Sequence, residues 1–143
     1  MPQSVQPVVL TEEAIQSTPS ESFPSAAESG DVTWRTLLSS SKTPSNTFAS
    51  GIARCAAKGG YLKCHRHTHA EIYYVIQGRG VVTIDGEEFK VGKGSVVFIP
   101  GDAEHGIRNE DEDEDLEWLY VFAADDFGEV VYRFADGSKE TEV

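Results

Sequence analysis

From Asp31 onward, short runs of alternating apolar and polar residues are separated by glycine-rich breaks. Strands are expected over Val32–Leu38, Phe48–Ala57, Tyr61–His65, Glu71–Gln77, Gly80–Asp85, Glu87–Lys90, Ser95–Pro100, His105–Arg108, Leu116–Ala123 and Val130–Phe134. Runs this short and evenly spaced read as a sandwich or barrel, because period-two alternation buries one face of each strand. Asp85-Gly86 is the strongest hairpin signal, since a tight primed turn needs positive φ. Gly78-Arg79-Gly80 marks a second turn. No long amphipathic period interrupts this region. The expected fold class is therefore all-β, a single domain built as a double-sheet jelly-roll barrel over residues 31–136.

Residues 1–30 break the pattern. They are rich in Ser, Pro, Gln and Glu and are expected to form a flexible, mostly irregular extension. Two helical turns are expected within it: Thr11 caps TEEAIQS, and Thr18-Pro19-Ser20-Glu21 has the form of a capping box with proline at the first helical position. A solvated tail is the expectation for this segment, with a lid or dimer arm as the functional alternative. Residues 137–143 are expected to be a C-terminal tail.

A chain of 143 residues accommodates one such domain. The formal net charge of −12 argues against nucleic acid and against anionic membrane surfaces as partners. Cys55 and Cys64 do not make a disulfide framework and are expected to stay reduced. Met1–Trp34 lack Lys and Arg, which fits neither a secretory signal nor a mitochondrial transit peptide, so a cytoplasmic protein is expected. The acidic run Glu110–Asp115 reads as a solvated loop.

The candidate chemistry sits in GGYLKCHRHTHAEIYYVIQG (59–78) and GSVVFIPGDAEHGIRN (94–109). His65 and His67, two apart, share a strand face. Glu71 opens the next run, and His105 comes from a second hairpin. Three imidazoles and a carboxylate suit a divalent first-row transition metal, and six-coordination would leave two positions open. Period-two parity puts Tyr73 beside Glu71. It also puts Lys63 and Tyr61 on the side of His65, as candidates to bind substrate. His69 lies in the turn between ligands, where an exposed or supporting role is expected. Arg54 and Arg108 are expected to be surface charges. Cys64 is expected on the opposite strand face rather than among the ligands. Trp118, Tyr120 and Phe122 share one face and are expected in the core.

At these residues the chain resembles the cupin superfamily. The first motif is met by Gly59, His65, His67, Glu71 and Gly78, and the second by Gly94, Pro100, His105 and Asn109. One position departs: Asp102 stands where the family usually has glycine, beside Gly101. The resemblance implies a double-stranded β-helix, one divalent metal (Fe, Mn, Ni or Zn) and a homodimer. GGYLKCHRH, AEIYYVIQGRG, FIPGDAEHGIRN and FAADDFGEVVYRF are similar to the small cupin-type dimethylsulfoniopropionate lyases, over roughly residues 45–134.

That closer resemblance implies metal ligands at His65, His67, Glu71 and His105, a catalytic base at Tyr73 and a supporting tyrosine at Tyr132. The substrate carboxylate would take the open positions, and Tyr73 as phenolate would remove the α proton. A phenol ordinarily titrates near 10, and a nearby dication favours the phenolate. Tyr73 as a residue that only shapes the pocket stays open, as do other uses of the metal: an iron dioxygenase, an isomerase or dehydratase of secondary metabolism, or a ligand-binding cupin without turnover. The expected partner in each case is a small organic acid or carbonyl compound.

Overall fold

The structure, a computed structural model, describes residues 4–134 and 139–141. One six-stranded sheet has the order β1 (Glu21–Ser22), β2 (Thr33–Leu38), β3 (Ala49–Cys55), β10 (Leu116–Phe122), β5 (Glu71–Gln77), β8 (Val96–Ile99). The other has the order β12 (Lys139–Thr141), β11 (Val131–Phe134), β4 (Tyr61–Arg66), β9 (His105–Asn109), β6 (Arg79–Ile84), β7 (Glu87–Gly92). The ladders are antiparallel. β10 lies between β3 and β5, and β9 between β4 and β6. These returns of distant strands make the jelly-roll crossing that adjacent hairpins alone would not produce.

The inner faces follow the alternation. Leu116, Trp118, Tyr120 and Phe122 are buried along β10, with less buried residues between them. Glu71, Tyr73 and Val75 do the same on β5. Each large apolar side chain taken out of water contributes about 1.5–3 kcal/mol before entropy is counted, so the shared interior is the main stabiliser of the two sheets.

The N-terminal segment is mostly irregular but not simply solvated. Helix α1 (Glu12–Gln16) begins at Thr11, whose Oγ1 accepts from Ala14 N at 3.2 Å. The capping box expected at Thr18 does not form. Glu21–Ser22 instead pair with β2, and the Glu21 carboxylate accepts from Thr36 N and Oγ1. The next residue, Phe23, is only 9 % exposed and packs on Trp34, Tyr132 and Phe134. A short helix α2 (Ala26–Ser29) leads back to the barrel. Of the expected C-terminal tail, residues 137, 138, 142 and 143 lie outside the described residues, while Lys139–Thr141 pair with β11.

The acidic loop is tied down rather than freely solvated. Asp111 Oδ1 accepts from the backbone N–H groups of Asp113 and Glu114, and Asp115 binds Arg54 and Ala57 N. Arg54 and Arg108 sit at the surface in ion pairs, as expected. Among the described residues no helix is long and apolar enough to cross a membrane.

Candidate metal centre

The local structure that gathers the candidate ligands is short and specific. His65 lies near the end of β4 and is the register partner of His105, the first residue of β9. His67 follows β4 in the turn, and Glu71 starts β5 in the opposite sheet. The turn after β8 completes the frame. Asp102, at the position where glycine was expected, holds φ at 64°, a left-handed conformation that Asp tolerates better than most residues. Its N–H donates to His67 O at 2.8 Å, so the departure from the motif preserves the turn that fixes a ligand.

His65, His67, Glu71 and His105 are all buried, at 1, 1, 3 and 0 % exposure. One nitrogen from each imidazole lies within 4.8 Å of the others. Every Nδ1 donates to a backbone carbonyl: His65 to Lys63 O at 2.8 Å, His67 to His69 O at 2.9 Å, His105 to Ala103 O at 2.8 Å. A carbonyl can only accept, so Nδ1 carries the proton and Nε2 turns its lone pair inward. His65 Nε2 is buried without a partner. His67 Nε2 and His105 Nε2 each lie 3.2 Å from Glu71 Oε1. In the neutral tautomer both atoms of those contacts are acceptors, an arrangement that a cation between them converts from repulsive to favourable. Burial and the neighbouring His105 and His67 push the His65 imidazole well below its ordinary value, so it is neutral. Burial raises the Glu71 carboxyl, a donated proton or positive charge at His105 and His67 lowers it, and the net direction is down. Three neutral-capable nitrogens and an ionised carboxylate fit a divalent transition ion.

Tyr73 projects from β5 to the same interior as Glu71 and is 1 % exposed, its ring 5.5 Å from Trp118. Burial, then the Glu71 charge, pushes its phenol well above the ordinary value. Tyr132 stacks on His65 with centroids 4.4 Å apart and planes 20° apart. Glu71, Tyr73 and Tyr132 share one cavity with Phe23, Trp34, Trp118 and Tyr120. Its free volume is about 20 Å³, which is about one water molecule. Trp34 Nε1 is buried in this wall without a partner.

The structure does not bring Lys63 and Tyr61 into this interior. Both line an outer groove with Arg108 and Val81 instead. The register explains it: Leu62 opposes Ile107 and His65 opposes His105, so β4 spends three steps where β9 spends two. This bulge reverses the parity, and Leu62, not Lys63, faces inward with His65. Gly106 makes the bulge possible, because a Cβ there would lie 2.8 Å from Leu62 O and 2.9 Å from Cys64 N. Cys64 lies on the same outer groove, with its thiol raised by burial and by Glu104. His69 supports His67 through its backbone carbonyl. Sequence reasoning missed Phe23 and Trp34 as cavity walls; the available signal was a lone phenylalanine in an otherwise polar segment.

The arrangement is that of a cupin, and the chain belongs to this family. The sequence profile of the cupin domain matches residues 54–122, which contain the whole cluster. Dimethylsulfoniopropionate lyase DddW of Ruegeria pomeroyi is 40% identical over 105 residues, covering 73% of this chain and 67% of that protein. An acireductone dioxygenase of Leptospira biflexa is 42% identical over 59 residues, or 38% of this chain and 32% of that one. Among solved structures, a cupin-2 domain protein of Rhodospirillum rubrum superposes with a TM-score of 0.65 at 19% identity, covering 99% of this chain and 83% of that one.

Proposed function

We propose that this cupin is a metal-dependent, redox-neutral lyase that cleaves dimethylsulfoniopropionate or a close analogue. The observation that carries the reading is the placement of Tyr73 two residues after Glu71 on the same inner face, in a cavity shared with Glu71 and Tyr132. The similarity to the Ruegeria lyase supports the choice of substrate. His65, His67, Glu71 and His105 would hold one divalent ion, of the class Fe, Mn, Ni or Zn. When bound, that ion supplies Lewis-acid stabilisation of the charge that develops on a substrate carboxylate, and favours the Tyr73 phenolate against the burial that opposes it.

The protein's own residues carry the remaining steps. The aromatic wall excludes water from the reacting carbons. Tyr73 Oη, as phenolate, takes the α proton. The C–H electron pair becomes the α–β double bond as the β carbon–sulfur bond breaks. Dimethyl sulfide leaves with the sulfur electron pair, and acrylate remains. Tyr132, stacked on His65, keeps that ring oriented and closes the cavity beside it.

The deciding experiment is headspace detection of dimethyl sulfide from protein stripped and reloaded with Fe(II), Mn(II), Ni(II) or Zn(II), with His105→Ala as control. Metal-dependent release that His105→Ala lacks is the expected result. No release with any metal overturns the lyase. The similarity to acireductone dioxygenase favours a second reading, dioxygen chemistry at the same cluster. Oxygen uptake by the Fe(II) form with an organic acid or carbonyl substrate would then replace the first.

A further inference from the structure

The candidate ligands and Tyr73 are shut in. They are 0–3 % exposed, and the cavity beside them holds about 20 Å³. An ion or an organic acid reaches them only when part of the wall moves. Trp34, Ala53, Leu62, Tyr73, Trp118 and Tyr120 are set in strands that have a paired neighbour on each side, so moving any of them disrupts a sheet. Phe23 is set differently. It is the most exposed residue of the lining, at 9 %. Residues 23–29 belong to no strand, and Pro24 has no N–H with which to join one.

This stretch is pinned at both ends and loosely held between them. At one end Glu21 and Ser22 pair with β2, and the Glu21 carboxylate accepts from Thr36 and lies 3.8 Å from Lys42 Nζ. At the other, Gly30 bridges to Leu62 with φ at 106°, where a Cβ would lie 2.3 Å from Tyr61 O. Between the two, a long hydrogen bond of 3.4 Å runs from Tyr61 Oη to Ala26 O. The Phe23 ring packs on Trp34, Tyr132 and Phe134, with centroids 4.9, 5.4 and 5.9 Å away. A segment with so few ties opens at lower cost than the ladders around it. We propose that residues 21–30 form a strap that gates the histidine–glutamate cluster, with Phe23 as its plug. The two pairs of β1 and the Phe23 ring release together, the strap swings about Gly30, and the cluster meets solvent. Closing restores the dry cavity. The inference rests on the reading that the cluster holds a divalent ion, and not on the reaction carried out there.

A gate changes the rates at which an ion enters and leaves in the same proportion and leaves its affinity alone, whereas a segment that only supports the fold changes affinity. The test locks the strap. Ser22 and Thr33 are register partners on β1 and β2, on the side away from the cavity, and cross-strand partners lie within reach of a disulfide. Ser22→Cys/Thr33→Cys protein, in a Cys64→Ser background, is compared oxidised and after reduction with a phosphine. Zinc release is timed with an excess of the coloured chelator 4-(2-pyridylazo)resorcinol, zinc uptake by the stripped protein is timed by loss of free zinc, and affinity is measured by competition. The oxidised form is expected to release and take up zinc about tenfold more slowly than the reduced form at unchanged affinity, and Phe23→Ala to do both about tenfold faster than the unaltered protein. Zinc binding with equal rates in the two forms, or slower release matched by tighter binding, overturns the gate and leaves the metal reading standing. Unaltered protein that binds no zinc overturns the metal reading and the gate with it.

Discussion

At the scale of single residues, the histidines and Tyr73 carry different burdens. Each imidazole is fixed by an Nδ1–H bond to a backbone carbonyl, so its role is set by local backbone geometry. In the proposed lyase Tyr73 would have to ionise against burial and against the Glu71 charge, and a strong positive neighbour would reverse that. Tyr73→Phe is therefore expected to lower kcat by about 100-fold or more, a general-base-sized loss, while retaining its metal. Turnover measured beside metal content by mass spectrometry checks it, and full activity in the variant removes Tyr73 from the chemistry. Lys63→Ala and Tyr61→Phe are expected to change KM by less than about twofold, because neither side chain faces the cavity. A tenfold rise in KM for either would place it back at the site.

At the scale of elements, the bulge in β4 decides which side chains face the histidine–glutamate cluster. Gly106→Ala drives a Cβ against the backbone of Leu62 and Cys64. It is expected to cost about 1–3 kcal/mol of stability and to weaken metal affinity, because His105 precedes it on the strand. Thermal melting and metal titration of the variant test both effects. The link from β10 to β11 depends on Asp126, which binds Ser39 Oγ and accepts from Ser41 N at 2.8 Å and Gly128 N at 3.0 Å. Burial pushes its carboxyl up, but the hydrogen bonds from Ser39, Ser41 and Gly128 outweigh it and hold the value at about 2, below the ordinary 3.8. The resulting stability is complete above pH 3.8 and is lost as the pH falls through about 2. Solvent screening of this partly exposed group limits it to about 1 kcal/mol. Asp126→Asn should remove that part of the acid sensitivity, seen as a flatter dependence of melting temperature on pH between about 5 and 2.

At the scale of the whole molecule, the β5–β8 end of the first sheet's outer face carries an apolar patch. Ile72, Tyr74 and Ile76 on β5 and Val96 and Phe98 on β8 are 38–71% exposed, with Ile72 opposite Phe98 and Tyr74 opposite Val96. Contiguous apolar patches beyond a few hundred Å² mark interaction sites, and a stable dimer buries about 800 Å² on each partner. Two copies that each carry −12 repel one another, and contact through a patch without charged side chains adds least to that repulsion. A homodimer through this face is expected by analytical ultracentrifugation, with Phe98→Glu sedimenting as a folded monomer. A monomeric unaltered protein, or a Phe98→Glu dimer, would exclude this interface.

Much of this was legible along the chain, because a strand has a fixed period and a motif has fixed spacings. The alternation Leu116–Phe122 places Trp118, Tyr120 and Phe122 inward, and the spacing of His65, His67, Glu71 and His105 brings them together once the barrel closes. Those features depend on neighbours in sequence and on steric rules that every strand obeys. The orientation of Lys63 and Tyr61 could not be read the same way. One extra residue in β4, tolerated because Gly106 opposes it, reverses parity without leaving a signal in composition. Phe23 left only the hint of a lone phenylalanine in a polar segment: its burial depends on the rings of Trp34, Tyr132 and Phe134, far from it in sequence. By itself the sequence determined the barrel, its hairpins and the donor set. Only the tertiary structure decided which side chains wall the cavity and how little space they leave, because packing between distant segments has no period to read.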